Sequence, residues 1–173
     1  DWVLGSDNLP SILIGKVVLR SPLNPPDSWP IQKVTDFIQR VYSDGRHQPV
    51  WIEISGFPGS GRRTLAASAV KQFGLPLLAI DLETIHEDEW ELVYVITQRQ
   101  AFLESWALAW TGERIPTQTW PSDIPAFPIQ FGIVEEQDQT LPAPTGSASI
   151  SVQIPSLSTD ERISLWRSAI PAA

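Results

Sequence analysis

Cysteine and methionine are both absent from the 173 residues. The first absence removes disulfides, thiol catalysis and the usual zinc ligand sets, and it fits a cytoplasmic protein. The second, in a chain that begins at Asp1, leads us to expect a piece of something longer, working with further domains of a parent chain. Histidine is scarce, with two residues, and both His47 and His86 sit in polar contexts that suit a surface better than a metal site. Positive charge is also short. Twelve Lys and Arg face twenty Asp and Glu, leaving a net charge of −8. That balance disfavours phosphate neutralisation along a nucleic acid, so no nucleic-acid partner is expected. No apolar run reaches the roughly eighteen residues of a membrane span, and no signal-peptide pattern opens the chain.

What is present is one phrase with a mechanism in it. An apolar run, Val50 to Ile54, leads into Gly56-Phe57-Pro58-Gly59-Ser60-Gly61-Arg62-Arg63-Thr64, and a helix-forming stretch follows to Phe73. Strand, glycine-rich turn and helix make a phosphate-binding P-loop, in which glycines let backbone N–H groups turn onto an anion. The positive end of the following helix adds to the attraction. Gly56, Pro58, Gly59, Ser60, Gly61, Arg62, Arg63 and Thr64 are therefore the candidate nucleotide-binding residues, with ATP or ADP as the ligand.

The spacing G-x-x-x-x-G-K-[ST] is kept, but arginine stands in both the lysine and the hydroxyl positions. Arg62 retains a charge on a wide planar fork rather than a compact ammonium, so the exchange is not conservative. Arg63 cannot hold Mg²⁺, and Thr64 lies one residue late, about 100° further round a helix. Little dependence on Mg²⁺ is expected, and no metal site is assigned. The two arginines suit bidentate phosphate contacts; they suit a solvent-facing or interdomain pair as well.

Around the loop, apolar spacing predicts a helix over residues 30–43, ended by Asp44-Gly45. Gly74 and Pro76 close the helix after the loop. Leu77 to Ile80 is a short buried parallel strand with Asp81 at its end. A helix runs from about Glu87 to Leu103, its acidic start (Glu87, Asp88, Glu89, Glu91) favoured by the helix dipole. Further strands are Trp106 to Trp110, Pro128 to Val134, and Ser149 to Ile154. Ser158 and Glu161 form a capping box for a last helix whose inner stripe is Ile163, Leu165, Trp166 and Ala169. Most of the tryptophans fall at core positions, whereas Trp120, before Pro121, is expected at an exposed contact surface. Asp81, Glu83 and Glu87 do not form a metal cluster by spacing. The order of elements predicts an α/β P-loop NTPase-like three-layer sandwich with a mainly parallel sheet and the loop at its C-terminal edge.

The phrase Gly56-Phe57-Pro58-Gly59-Ser60-Gly61 resembles the G-P-P-G-[ST]-G of AAA+ ATPases. Pro76 to Leu82 is similar to that family's second strand. Ile154-Pro155 followed by Asp160 to Trp166 is similar to its step from the last strand into the helix before the lid. The resemblance covers roughly residues 30–170 and is to the large subdomain, in a degenerate form like the divergent module of tandem bacterial AAA+ proteins. It implies residues 1–30 as an N-terminal extension or linker and 31–173 as the P-loop domain, with the lid subdomain absent and oligomer neighbours as partners. It also implies parts this chain lacks. The third strand should end in two acids and instead runs into Thr111-Gly112-Glu113. The fourth should end in a polar residue, and Ile133-Val134 offers only the following Glu135. No arginine finger is evident, and no catalytic residue is assigned. Two readings follow: a nucleotide-binding AAA+ domain impaired in hydrolysis, and a pseudo-ATPase scaffold that binds no nucleotide and mediates assembly.

Overall fold

A computed structural model describes residues 9–20, 24–45, 48–113, 115–134 and 142–169. Six strands form one sheet: β1 (Val17–Arg20), β2 (Val50–Ser55), β3 (Leu77–Asp81), β4 (Ala107–Thr111), β5 (Ile129–Val134) and β6 (Ala148–Gln153). Their order across the sheet is β1-β3-β4-β5-β2-β6. Every pairing is parallel except β1 with β3. The helices are α1 (Ile31–Ser43), α2 (Arg62–Lys71), α3 (Trp90–Glu104) and α4 (Thr159–Ala169). This is a P-loop NTPase-like α/β sandwich, and no helix among the described residues is long and apolar enough to cross a membrane.

The alternation of a strand's side chains sorts the core into two halves. Leu77, Ala79, Ala107 and Ala109 face α1 and α2, with Val50, Ile52, Ile54 and Phe131 beside them. Leu78, Ile80, Leu108, Trp110 and Trp51 face the other way, onto Val93, Tyr94 and Ala101 of α3. The topology explains this division. The connection from β2 to β3 crosses the sheet in one direction over β5 and β4, and that from β3 to β4 returns. Two right-handed crossovers running in opposite directions place their helices on opposite faces.

The first half is mainly aliphatic. Ile31, Val34, Ile38 and Val41 of α1 are buried at helical spacing, as the pattern predicts. The second half is aromatic. The rings of Trp51, Trp90, Tyr94, Trp110 and Trp120 lie with centroids between 5.3 and 5.9 Å apart. Trp120 belongs to this cluster and is only 8% exposed, its indole N–H donating to the Pro142 carbonyl at 2.7 Å. The expected contact surface at Trp120 is thus corrected: an amphipathic ring within reach of four others gains more by burial than in water. Trp110 donates to Gln130 at 2.6 Å, and the amides of Gln98 and Gln130 meet at 3.3 Å. Trp110, Gln130 and Gln98 are thus linked to one another, while Trp51 Nε1 and Thr97 Oγ1 are buried without a partner.

Other elements fall close to their expected limits. The acidic run Glu87–Glu89 forms a 3-10 turn ahead of α3 rather than its first turn, and Glu89 pairs with Lys16 at 3.0 Å. The capping box forms: Ser158 N–H donates to Glu161 at 2.8 Å and Glu161 N–H to Ser158 Oγ at 3.2 Å. Ile163, expected on the inner stripe of α4, is 43% exposed. The side chains of Trp166 and Ala169 lie outside the described residues, as do His47 and Glu135. Before residue 31, the apolar stretch holds Leu13 in the core and supplies β1.

Candidate functional site: the glycine loop and the strand ends

β2 lies between β5 and β6, parallel to both, and all six of its residues are buried. A strand so placed delivers its following loop to the C-terminal edge of the sheet, where ligands bind in folds of this kind. The loop leaves at Ser55. Phe57, Pro58 and Gly59 protrude, with Phe57 66% exposed. Ser60 N–H closes a turn on the Phe57 carbonyl at 3.0 Å, and Leu65 N–H reaches the Gly61 carbonyl at 2.8 Å to begin α2.

Gly61 caps α2 in the left-handed region, with φ at +90°, and offers no side-chain acceptor to the first turn. A helix start without a side-chain cap is a backbone arrangement an anion can use. Glycine is required at this position on two grounds. The backbone angle penalises any Cβ. A Cβ would also lie 2.4 Å from Cη2 of Trp29. The Trp29 indole therefore lies directly on the loop, buried, with its N–H lacking any partner. Gly56 is tight for a related reason: a Cβ there would come within 2.8 Å of Ser60 Oγ and 3.4 Å of Ile154. Ser60 Oγ is itself buried and unpartnered.

The side chains tell a different story from the backbone. Arg62, in the lysine position, donates from Nη1 to the carbonyl of Val134, the last residue of β5. Its guanidinium is anchored to the neighbouring strand end. Arg63 is exposed on α2, and Thr64 is half-buried. Of the expected set, the fold thus gathers Gly56, Pro58, Gly59, Ser60, Gly61, Arg62, Arg63 and Thr64 into one turn and helix start, with Arg62 tied to β5.

At the end of β4, Thr111 Oγ1 donates to the Ile80 carbonyl at 3.1 Å and is buried. Glu113 follows in an exposed turn. Carboxylates do stand beside this strand end, but they come from its neighbour. A Cβ on Gly112 would lie 2.9 Å from Glu83 Oε1 and 3.4 Å from Asp81 Oδ1. Asp81 accepts the Glu83 N–H at 3.1 Å, and the Thr84 hydroxyl donates to the Asp81 carbonyl at 2.7 Å. β3 is three places from β2 in the sheet, so these acids stand on the order of 14 Å from the loop strand. Among the described residues no group of three acids or histidines is arranged to hold a metal ion.

Two residues near the loop carry no local signal. Trp29 belongs to the proline-rich stretch before α1, and nothing adjacent in sequence marks it as a cover for Gly61. Glu53 is a buried, partnered carboxylate in the middle of the loop strand, opposite Gly132 and Ser151. The cover over the loop is in turn tied to α4. The hydroxyl of Ser28, together with Ser158, holds the Glu161 carboxyl down to about 2.

No family model matches the sequence, and no curated protein matches it. Among solved structures, a Rhizobiales Trip13 is 13% identical, with 71% of this chain and 60% of that one covered, at a TM-score of 0.38. A chain of an E. coli MS115-1 HORMA:CdnC:Trip13 complex is 14% identical, with 79% and 58% covered, at a TM-score of 0.40. This chain therefore spans less than two thirds of the length of either neighbour.

Proposed function

We propose that this chain is a nucleotide-binding module of the AAA+ type in which the loop backbone holds phosphate while hydrolysis is impaired. One observation carries the reading: Gly61 starts α2 in the left-handed region without a side-chain cap, at the C-terminal edge of an interior parallel strand. The glycine phrase from Gly56 to Gly61 supports the family. ATP or ADP would be held by the amides from Gly59 to Thr64, with Arg63 near enough in sequence to reach a phosphate oxygen.

Impaired hydrolysis follows from the side chains. Phosphoryl transfer needs a metal ligand, a group to position water and a cation on the transferred phosphate, acting together. Arg63 supplies no hydroxyl, Arg62 is engaged by Val134, and Asp81 and Glu83 stand too far from the loop. In an AAA+ assembly a lid and a neighbour's arginine come from other domains or subunits, and the same is proposed here.

The second reading, a scaffold that binds no nucleotide, is favoured by the Trp29 ring seated on Gly61 and by the bond from Arg62 to Val134. Both contacts use the loop as packing. Titration with a fluorescent ATP analogue, with Mg²⁺ and with chelator, separates the two. Saturable binding that Gly59→Val abolishes supports the first reading, and no binding at millimolar analogue supports the second.

A further inference from the structure

Lys16, just before β1, is neutralised by Glu89. The cations near the other end of β1 have no such partner among the described residues. Arg20 ends β1, and Lys71 ends α2; together with Ala67, Gly74, Leu75, Pro76 and Leu77 they line a groove of about 280 Å³. Arg63, one helical turn before Ala67, stands within electrostatic reach of Arg20. Arg20, Lys71 and Arg63 form no ion pair among the described residues. The Nε of Arg20 is removed from solvent and has no acceptor. A desolvated charged donor without a partner is unfavourable, so an anion arriving there recovers a hydrogen bond as well as a charge. Burial, reinforced by Arg63, lowers the Arg20 pKa.

The groove is bounded by a strand with an open edge. Among the described residues β1 is the first strand of the sheet and pairs only with β3, and Val18, on the same face as Arg20, is 52% exposed. Unpaired edges of this kind accept another strand. We propose that the trough between α2 and β1 docks an extended acidic segment of a partner polypeptide, which adds to the edge of β1 and sets its carboxylates on Arg20, Lys71 and Arg63.

The dimensions agree with this occupant. Arg63 and Lys71 are eight positions apart on α2, about 12 Å of rise, which four residues of extended chain also cover. Acids four positions apart on a strand share one face and meet both ends of the trough. A polyphosphate partner is disfavoured because the whole chain carries a net −8 and the floor (Ala67, Leu75, Pro76, Leu77) is apolar. Arg63 is shared with the proposed phosphate contacts, whereas Arg20 and Lys71 lie outside the glycine loop, so the variants of the test are made at those two.

The test uses the whole chain and a short fluorescent Val/Thr peptide with two Glu four residues apart, followed by anisotropy. Binding is expected, with Arg20→Gln and Lys71→Gln each weakening it about fivefold to tenfold and added salt weakening it further. Amide shifts in the wild type should concentrate at Val17–Arg20. Lys71 is exposed, so Lys71→Gln leaves a folded protein even if Arg20→Gln does not. The proposal is overturned if the matching peptide with two Lys binds equally well. It is also overturned if Lys71→Gln binds like wild type, or if inorganic phosphate or a single-stranded oligonucleotide displaces the peptide at matched charge.

Discussion

The two faces of the sheet differ in what they pack and in where their unpaired polar groups stand. On the α3 face, Trp110 bonds Gln130, Gln130 meets Gln98 and Trp120 reaches Pro142, while Trp51 Nε1 and Thr97 Oγ1 stay buried without a partner inside the packed core. On the α2 face, Trp29 Nε1 and Ser60 Oγ lack partners at the glycine loop itself. Buried polar groups in native proteins are normally paired, and clusters of exceptions concentrate where a ligand or a conformational change completes them. The contrast is one of place: exceptions inside an aromatic core on one face, and exceptions at the glycine loop on the other.

The comparison breaks most visibly by removing a ring from the centre of the aromatic face. Trp110→Ala should cost about 3–5 kcal/mol, because it leaves a large cavity and strips Gln130 of its donor. A denaturant melt measures this, and nucleotide-analogue affinity of the folded fraction should stay unchanged. Gly61→Ala, on the other face, should cost about 2–4 kcal/mol, combining a left-handed residue with an over-packed contact. Trp29→Leu in the same chain should recover part of that loss if the ring is what the new methyl meets, and a double-mutant cycle measures the coupling.

Arg62→Gln sharpens the difference between loop backbone and loop side chain. It removes the donor to Val134 and should cost about 1–2 kcal/mol. Arg62→Lys should not create turnover in a phosphate-release assay, since the acids still stand three strands away. Smaller effects are read by titration. Burial pushes the Tyr94 phenol up to about 12. A raised folded pKa means that stability is intact below the unfolded value near 10 and falls as pH rises from there through 12. With Tyr42 replaced by Phe, tyrosinate absorbance should show no ionisation near pH 10 while the fold persists.

The smallest effect concerns Glu161, whose hydrogen bonds to Ser28 and Ser158 lower its pKa to about 2. A depressed folded pKa gives stability that is present above about 4.3 and is lost as pH falls toward 2. Glu161→Gln should therefore flatten the acid side of the stability profile. In hydrogen exchange it should loosen the start of α4, with Trp29 following if Ser28 anchors it.

Much of the fold was legible because its signals are local. The period of Ile31, Val34, Ile38 and Val41 gives α1; the run from Val50 gives the loop strand; Gly74 gives the end of α2; and Ser158 with Glu161 gives a cap. Legibility ends where distance in sequence begins. No neighbour of Trp120 shows that four aromatic rings await it, and no periodicity shows that Val17–Arg20 will pair with β3. The candidate site divides in the same way. Its glycines are visible in a six-residue phrase, whereas the Trp29 cover, the tie from Arg62 to Val134 and the carboxylates beside Gly112 arise from strand order. The spacing of acids within β4 itself holds no trace of Asp81 and Glu83, since they arrive from the adjacent strand.

The central claim is that the loop binds nucleotide through its backbone without the machinery to cleave it. Calorimetry with ATP, in Mg²⁺ and then in excess chelator, tests it most directly when paired with phosphate release on the same sample. The account predicts similar affinity in both conditions and no release above background. Affinity that collapses on chelation, or steady release that Arg62→Ala abolishes, would contradict it.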